Sequence, residues 1–557
     1  MSVEIARREY RFVLLMGLTA LAVSSIPYII GAALATESRL FGGFVYAVED
    51  GYAYLAHMRE GAKGAWLFTL PYTPEPHPSR LFYLFHLLLG KLTTIIPGSD
   101  LTTRMVHVYH AARVFFGLGL LLTVYRFLAE FTRQVLVRRV AWLMATFGGG
   151  LGWLLVALGQ PNWLGSIPLD FILPEGFTFL VLYSFPHIAL ARTLLLWGIL
   201  FLLKAWEASP TSDVQHPIPQ SRFPLHAASA GGCWLAMGLV VPFYVAVAWA
   251  VTGAAWLALA LRKRPGFWQK SGFSPSWREA LAAGIAMLIS APVVAYSAWV
   301  FTTDRVYKIW AAQNLVLSPH PLHYLAAYGA PLALAAFAAR EAWRSERPAW
   351  LPLAWTAIAP LLVYLPFNLQ RRLVEGMQIP LSLLAAWGLV KILDLEFRVS
   401  SLKSRLMIGI ILIMLSLTNL LLIAGNCLAL RGQSAPIYRS VGEIAALDWL
   451  SQRVQPGDVT LASYATGNYL PARAGARTLV GHGSESIHAD EKKVHVTHFF
   501  DAATEEAWRQ WLLKEYSVDY IFWGPAERAL GNFDPAQATY LRQIYDADEY
   551  SLFEVKR

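Results

Sequence analysis

The stretch Tyr46-Ala-Val-Glu49-Asp50-Gly-Tyr52-Ala-Tyr54 opens a long loop that follows the first apolar segment of the chain. It places two adjacent carboxylates and nearby tyrosines just beyond a predicted membrane span. A carboxylate near the hydrocarbon boundary acts as a general base when burial and neighbouring groups tune its pKa. Glu49 and Asp50 are therefore candidate catalytic residues. The alternative is that they cap an interfacial helix, because acidic groups favour helix N-termini.

The composition around this loop is that of a membrane protein. Of the 557 residues, 56% are hydrophobic and 15% are charged, whereas a soluble globular chain has about 25% charged residues. Runs of about 18 to 23 residues almost free of charge match the length that a helix needs to cross the hydrocarbon layer. The sequence therefore predicts a polytopic α-helical membrane protein.

About eleven segments are predicted to cross the membrane. The apolar run 227–261 is divided at Pro242, because proline removes a backbone donor and clashes with the preceding turn. The predicted spans are 12–33, 105–127, 139–158, 178–203, 225–241, 243–261, 279–301, 322–339, 350–367, 376–393 and 406–428.

Basic residues predict the orientation, because Lys and Arg concentrate in cytoplasmic loops. Two clusters are placed inside on this ground, Arg7, Arg8 and Arg11, and Arg133, Arg138 and Arg139. This requires segment 81–97 to lie in the outer interface as a helix instead of crossing. We expect a multi-pass protein of the cytoplasmic (plasma) membrane with its N-terminus inside and its C-terminus outside. The same bias explains the net charge of +9, so no nucleic-acid partner is expected.

The composition becomes that of a soluble domain near residue 436. Helices are predicted at 441–453, 467–472, 490–500 and 503–515, and strands at 459–463, 478–480 and 520–523, before two last segments at 537–544 and 550–555. Strands alternating with helices predict a small α/β domain with a largely parallel sheet. The predicted division is a transmembrane module, residues 1–430, with an outer first loop at 34–104, and an extracytoplasmic α/β domain, residues 436–557.

A second candidate site is the segment Asn368-Leu-Gln370-Arg371-Arg372-Leu-Val-Glu375-Gly376 between two predicted spans. Paired arginines on the outer side run against the positive-inside bias. Guanidinium groups bind phosphate oxygens bidentately, which favours an anion as their ligand. The other interpretation is an ion-pair network with Glu375 that holds a tight turn.

Three further outer segments carry candidate binding residues. Glu175 and His187 precede Arg192, an arginine inside an apolar helix, which faces a cavity or a partner or else extends to the interface. Trp310 lies close to two carboxamides, a combination that suits a sugar ring, although this chain has 21 tryptophans. His482 lies in Gly481-His482-Gly-Ser-Glu-Ser486, which lacks the glycine spacing of a phosphate-binding loop and is otherwise a turn of the C-terminal domain.

Taken together, these features resemble the GT-C superfamily of polyprenyl-phosphate-dependent membrane glycosyltransferases, which includes protein O-mannosyltransferases and aminoarabinose transferases. The similarity lies in the acidic pair with Tyr54, the interfacial helices, about eleven spans and the external α/β domain. Short motifs that look like landmarks of uncharacterised bacterial members are Pro174-Glu175, Pro186-His187, Trp310 with Gln313-Asn314, and Gln370-Arg371-Arg372 with Glu375-Gly376.

The resemblance implies transfer of a sugar from a polyprenyl-phosphate donor to a glycan, lipid or protein acceptor on the outer face. Asp50 would deprotonate the acceptor, and Glu49 would tune it or replace it, since many relatives carry Asp-Glu where this chain has Glu-Asp. Arg371 and Arg372 would hold the donor phosphate. The substrate-binding residues would be Tyr54, Glu175, His187, Trp310, Gln313, Asn314, Glu375 and His482.

The histidine spacings fit no familiar metal-ligand pattern, so we expect a metal-independent transfer without a cofactor. Two other functions stay open. One is a lipid or sugar transporter, against which stand the missing inverted repeat and the ionisable groups clustered at the outer boundary. The other is a non-catalytic GT-C-like subunit that binds a partner through its C-terminal domain, since a fold can persist without its activity.

Overall fold

The computed structural model describes residues 5–98, 100–207, 222–262, 277–345, 347–396 and 401–556. The α-helices up to residue 262 are α1 (Arg7–Ala33), α2 (Val48–Ala62), α3 (Leu84–Thr93), α4 (Leu101–Phe131), α5 (Val135–Phe147), α6 (Gly152–Ala157), α7 (Leu169–Ile172), α8 (Thr178–Ser184), α9 (Pro186–Glu207), α10 (Phe223–Val240) and α11 (Tyr244–Arg262). They are followed by α12 (Trp277–Thr303), α13 (Arg305–Gln313), α14 (Leu322–Arg344), α15 (Trp350–Leu362), α16 (Gln378–Glu396), α17 (Leu402–Ala429), α18 (Val441–Ser451), α19 (Tyr464–Arg473), α20 (Ala489–Phe500), α21 (Glu506–Glu515) and α22 (Pro525–Arg528). The strands are β1 (Arg39–Phe41), β2 (Tyr438–Ser440), β3 (Val459–Leu461), β4 (Arg477–Thr478), β5 (Val518–Trp523), β6 (Leu541–Ala547) and β7 (Tyr550–Val555).

Eight helices within these described ranges are long and apolar enough to cross a membrane, namely α1, α4, α9, α10, α11, α12, α14 and α17. The prediction of a polytopic helical membrane protein with a C-terminal domain is confirmed. The division at Pro242 is also confirmed, because α10 ends at Val240 and α11 begins at Tyr244.

The predicted span 139–158 is not one helix, because the chain leaves the helical path between α5 and α6, at Gly148-Gly149-Gly150. The buried carboxylate of Asp170 accepts hydrogen bonds from the amides of Gly150 (2.8 Å) and Gly152 (3.0 Å). It also accepts one from the Thr418 hydroxyl at 2.7 Å. The Asp170 carboxylate thus accepts hydrogen bonds from backbone amides that would bond to helix carbonyls if the helix were unbroken.

Two other predicted spans differ in length or burial from the eight long helices. In segment 350–367 the helix α15 has only 13 residues. Segment 376–393 forms α16, which packs against both α5 and α14 and buries Leu383, Leu384 and Ala385 almost completely. The predicted interfacial segment 81–97 contains a single ten-residue helix, α3.

The chain forms two compact units. The first consists of Met1–Ser25, Ala112–Ala298 and Val316–Ala424, and the second of Ile26–Ala111, Trp299–Leu315 and Gly425–Arg557. The second unit therefore combines the first loop, the segment around α13 and the C-terminal region. The functional division of the chain near residues 430–436 stays a prediction.

The second unit contains a five-stranded sheet of order β4-β3-β5-β7-β6. Strand β3 runs parallel to β4 and β5, whereas β7 runs antiparallel to both β5 and β6, so the sheet is mixed and not largely parallel. The reason is local. Strands β6 and β7 are joined at Asp548-Glu549, which both have positive φ (51° and 68°), and a two-residue turn of this kind joins only antiparallel strands.

The first loop belongs to the body of this second unit. Strand β1 pairs antiparallel with β2, and α2 packs against both α3 and α19. Gly467 lets α19 pack closely against the segment that follows β4, because a Cβ atom at this position would lie 2.1 Å from the carbonyl oxygen of Val480. This packing brings the start of α2 to the turn that follows Val480.

Candidate functional site

The acidic pair lies in the first turn of α2, where carboxylates interact favourably with the helix dipole. Ala47, the residue that precedes the helix, has a left-handed conformation (φ 48°). The side chain of Asp50 is 47% exposed, and Glu49 is exposed. Both carboxylates therefore remain accessible to a ligand from solvent.

Two side chains of the C-terminal region hold these carboxylates. The hydroxyl of Tyr464, in α19, donates to Oε2 of Glu49 at 3.0 Å. The Nε2 atom of His482 lies 3.2 Å from Oδ1 of Asp50. The structure therefore brings together Glu49, Asp50 and His482, three residues that the sequence analysis selected from two separate segments.

His482 lies in the turn Gly481–Ser486 and is only 6% exposed. Its second ring nitrogen, Nδ1, lies 3.1 Å from the hydroxyl of Ser484. Burial alone would lower the pKa of His482, but the carboxylates of Asp50, Glu485 and Glu49 raise it above its usual value.

The turn is held from two other directions. The Nε2 atom of His57, in α2, lies 3.1 Å from Oε2 of Glu485, and both residues are buried. Burial alone would raise the pKa of Glu485, but interaction with His57 lowers it. Gln313 donates to the carbonyl of Ser486 at 2.7 Å and accepts from the His488 amide at 3.1 Å. The carboxamide of Gln313 thus contacts protein groups on both sides.

Of the other predicted binding residues of the second unit, Trp310 is buried, whereas Asn314 and Tyr54 are half-buried. Trp310 is 8% exposed and packs among aromatic rings that include Phe82 (5.9 Å) and Phe301 (5.8 Å). Asn314 ends α13. Tyr54 stacks on His86, with ring centroids 4.4 Å apart. Their roles toward a sugar stay predictions.

In the first unit the two arginines lie in a 3₁₀ helix, Gln370–Val374. Arg372 is 40% exposed, and its Nε atom lies 3.6 Å from Oε1 of Glu175. The segment is anchored by Gln370, whose Oε1 accepts from the Ser318 amide at 2.9 Å. Within the first unit, an accessible guanidinium and a buried carboxylate therefore lie next to each other.

Glu375 has a different environment from these arginines. It is fully buried and forms an ion pair with Arg192, which is buried as well. Arg192 also donates to the carbonyls of Pro174 (2.9 Å) and Glu175 (2.8 Å). Of the two interpretations of an arginine in an apolar helix, the structure shows the one with a partner. His187 lies in the first turn of α9, half-buried, with its ring 6.0 Å from that of Phe185.

Sequence reasoning did not select Tyr464, His57 or Ser484. Each contacts a residue of the first turn of α2, here called the acidic turn (Glu49 and Asp50), or of the turn Gly481–Ser486. Glu485 and Ser484 are part of the quoted glycine-flanked motif, which was the only local signal.

Within the described ranges, no group of three or more His, Cys, Asp or Glu side chains is arranged to hold a metal ion. The metal independence of the reaction stays a prediction.

No protein-family model matches the sequence, and no curated protein matches it significantly. In three dimensions the chain is similar to the Archaeoglobus fulgidus oligosaccharyltransferase in its apo form, with a TM-score of 0.53, 13% identity, and coverage of 92% of this chain and 69% of that chain. It is also similar to the archaeal oligosaccharyltransferase AglB from Archaeoglobus fulgidus in complex with an inhibitory peptide and a dolichol-phosphate, with a TM-score of 0.50, 13% identity, and coverage of 93% and 70%. ArnT from Cupriavidus metallidurans bound to undecaprenyl phosphate matches with a TM-score of 0.48, 12% identity, and coverage of 97% of both chains.

At 13% identity, the two oligosaccharyltransferase comparisons establish similarity of fold. The expectation of this fold, which was drawn from the sequence, is confirmed.

Proposed function

We propose that this chain is a membrane glycosyltransferase that moves a sugar from a polyprenyl-phosphate-linked donor to a hydroxyl or amine acceptor on the outer face of the cytoplasmic membrane. The observation that carries the proposal is the acidic turn of α2, in which two accessible carboxylates are each held by a side chain from the C-terminal region. The fold supports it, because the similar archaeal oligosaccharyltransferase was solved with a dolichol-phosphate.

In the proposed reaction, a carboxylate of the acidic turn removes the proton of the acceptor. The acceptor atom forms a bond to the anomeric carbon, while the bond from that carbon to the donor phosphate oxygen breaks. The phosphate leaves with the electron pair of that bond. Asp50 is the proposed base, and the part-exposed side chain of Asp50 leaves room for an acceptor to approach.

Arg371 and Arg372 are proposed to bind the donor phosphate and to stabilise the charge that develops on it as it leaves. Support comes from the exposure of Arg372 and from the anchored 3₁₀ helix that carries both arginines. Glu175, next to Arg372, is proposed to orient this guanidinium, and Glu375 to hold the segment through Arg192. His187, Tyr54, Trp310, Gln313 and Asn314 are proposed to contribute to sugar or acceptor binding.

The test is transfer of radiolabelled sugar from a panel of polyprenyl-phosphate donors by the purified full-length protein, with hydrolysis of the donor as a second readout. Replacement Asp50→Asn should lower the rate by about 10²- to 10⁴-fold, which is the usual contribution of a general base. Arg371→Ala should lower it by about 10²- to 10³-fold, as does the loss of one donor to a developing anion.

Matched controls are Asp490→Asn, at a carboxylate that is 99% exposed, and Arg542→Ala, at a guanidinium that is 64% exposed. Both should retain the wild-type rate. If wild type binds a donor but neither transfers nor hydrolyses its sugar, the enzyme proposal fails and the non-catalytic subunit gains support. Activity that survives Asp50→Asn but is lost in Glu49→Gln would move the base to Glu49.

A further inference from the structure

We propose that His482 is a positioning residue for the Asp50 carboxylate and that this contact makes Asp50, not Glu49, the proton acceptor. The inference rests on the transfer reaction proposed above and deepens it by assigning one role to the C-terminal region. Its basis is the contact between the turn Gly481–Ser486 and the first turn of α2, both in the second compact unit.

Both ring nitrogens of His482 are engaged. Nε2 faces Asp50 at 3.2 Å and Nδ1 faces the Ser484 hydroxyl at 3.1 Å. A carboxylate accepts and does not donate, so the neutral ring carries its proton on Nε2 and donates it to Asp50. Nδ1 then accepts the proton of the Ser484 hydroxyl. Because rotation of the ring would break both bonds, the imidazole fixes one oxygen of the carboxylate.

The turn that holds this imidazole is itself rigidly bonded. The amides of Gly481 (3.1 Å) and His482 (3.3 Å) both donate to the Ser486 hydroxyl. The ring of Tyr72 lies 5.6 Å from that of His482. A 6%-exposed histidine in a braced turn therefore orients a carboxylate that is 47% exposed. This is the arrangement that positions a base while leaving it open to an acceptor.

Glu49 is held by a different kind of group. Its donor is the Tyr464 hydroxyl, and burial together with the Glu49 charge raises the pKa of that phenol. The phenol therefore stays neutral throughout the pH range in which a transferase is assayed. Of these two hydrogen-bond partners, only His482, which faces Asp50, changes its charge near neutral pH.

The groups that face His482 are Asp50 and Glu49 from α2, Glu485 from its own turn, Tyr72 from the first loop, and Ser484. Neutral His482 orients Asp50 and lowers its basicity less than a charged donor does. Protonated His482 forms an ion pair with Asp50, which stabilises the carboxylate and makes it a poorer base. The transfer rate should therefore fall when the pH drops through the pKa of His482, which lies above the ordinary value of 6.5.

Two substitutions separate orientation from titration. His482→Gln keeps an N–H donor for Asp50 but does not titrate, so the acid limb of the rate profile should move to lower pH while the rate at high pH falls by less than about tenfold. His482→Phe removes the donor, so kcat should fall by about 10- to 100-fold with KM within about twofold. His498→Gln, at a histidine bonded to Thr504, is the matched control and should change neither quantity.

A wild-type acid limb in His482→Gln, or a wild-type kcat in His482→Phe, would overturn the inference.

The pairing is measured independently of turnover by nuclear magnetic resonance titration of histidine-labelled full-length protein in micelles. The His482 signal, assigned with His482→Gln, should titrate above 6.5 in wild type and at lower pH in Asp50→Asn. Transfer activity with a His482 titration unchanged by Asp50→Asn would refute the positioning role alone. A normal pairing without transfer from any donor would refute the proposed function, and with it the role.

Discussion

The chain contains two carboxylate sites that differ in access. Glu375, in the first unit, is fully buried against the equally buried Arg192. Asp50, in the second unit, is half exposed and is held on one side by a buried histidine. The buried carboxylate of Glu375 is paired with a permanent positive charge, which suits a structural role. The Asp50 carboxylate faces solvent and a partner that titrates, which suits a role in chemistry.

The remaining contacts of each site support this distinction. Besides its bonds to Glu375, Arg192 donates to the carbonyls of Pro174 and Glu175, so this guanidinium is occupied by the protein. At the acidic turn, the Tyr464 phenol contacts Glu49 and the His482 imidazole contacts Asp50, and both carboxylates keep exposed surface. Changes in the sealed site should therefore act on stability, and changes in the open site on activity.

The largest effect on stability is expected from Glu375→Gln. The substitution leaves the buried Arg192 charge without the carboxylate that pairs with it, which costs about 3–5 kcal/mol of unfolding free energy. Thermal or denaturant unfolding of the purified protein measures it. Replacing the pair together, Arg192→Met with Glu375→Leu, should recover most of the loss, because well-packed apolar residues often substitute for a buried ion pair. A loss below about 1 kcal/mol in the single variant would contradict a sealed ion pair.

The second effect concerns a buried pair that supports the open site. Glu485→Gln removes the buried partner of His57 and should cost about 1.5–3 kcal/mol at neutral pH, the value of a hydrogen bond to a charged group. The folded pKa of Glu485 lies below its ordinary 4.5. Its contribution is therefore complete above pH 4.5 and is lost as the pH falls below that value. Unfolding midpoints measured from pH 3 to 7 should converge for wild type and variant at the acid end.

The third effect concerns a pair of intermediate burial. Lys492 is almost fully buried, and its Nζ lies 2.6 Å from Glu75, which is 30% exposed. Burial lowers the pKa of this lysine. Because Glu75 still reaches solvent, Lys492→Met should cost only about 1 kcal/mol, less than the sealed pair. A loss as large as that of Glu375→Gln would show that partial exposure does not separate the two classes of pair.

The smallest effect is expected from Tyr464→Phe, which removes the hydrogen bond to the exposed Glu49 carboxylate. The unfolding free energy should fall by about 0.5 kcal/mol, the low end for a net hydrogen bond. Transfer activity should stay within about threefold of wild type, since Asp50 and His482 are untouched. A loss of activity as large as that of Asp50→Asn would assign the base to Glu49.

Much of the fold was predicted from local patterns. Apolar runs predicted the long helices, and Pro242 marked the boundary between α10 and α11. The break after α5 was missed, although Gly148-Gly149-Gly150 is visible in the sequence, because average hydropathy treats glycine as neutral. The mixed sheet was missed because Asp548-Glu549 is not a typical hairpin dipeptide, and only its positive φ values show the turn.

The members of the candidate site were predicted individually, but their pairing was not. Glu49, Asp50 and His482 were selected because of their residue types and neighbours. Asp50 and His482 are 432 positions apart, and Arg192 and Glu375 are 183 apart. No local pattern predicts such contacts without an observed fold, and the same limit applies to Tyr464 and to the buried pair His57–Glu485.

The sequence alone predicted a polytopic helical membrane protein with a C-terminal domain, because hydropathy over about 20 residues and proline breaks act locally. The tertiary structure alone decided which charged groups are sealed and which are accessible. It turned Glu375 into a buried counter-ion and left Asp50 exposed beside a buried histidine. The physical reason is that burial and partner choice depend on contacts between distant segments, and these contacts set the charge, orientation and access of each carboxylate.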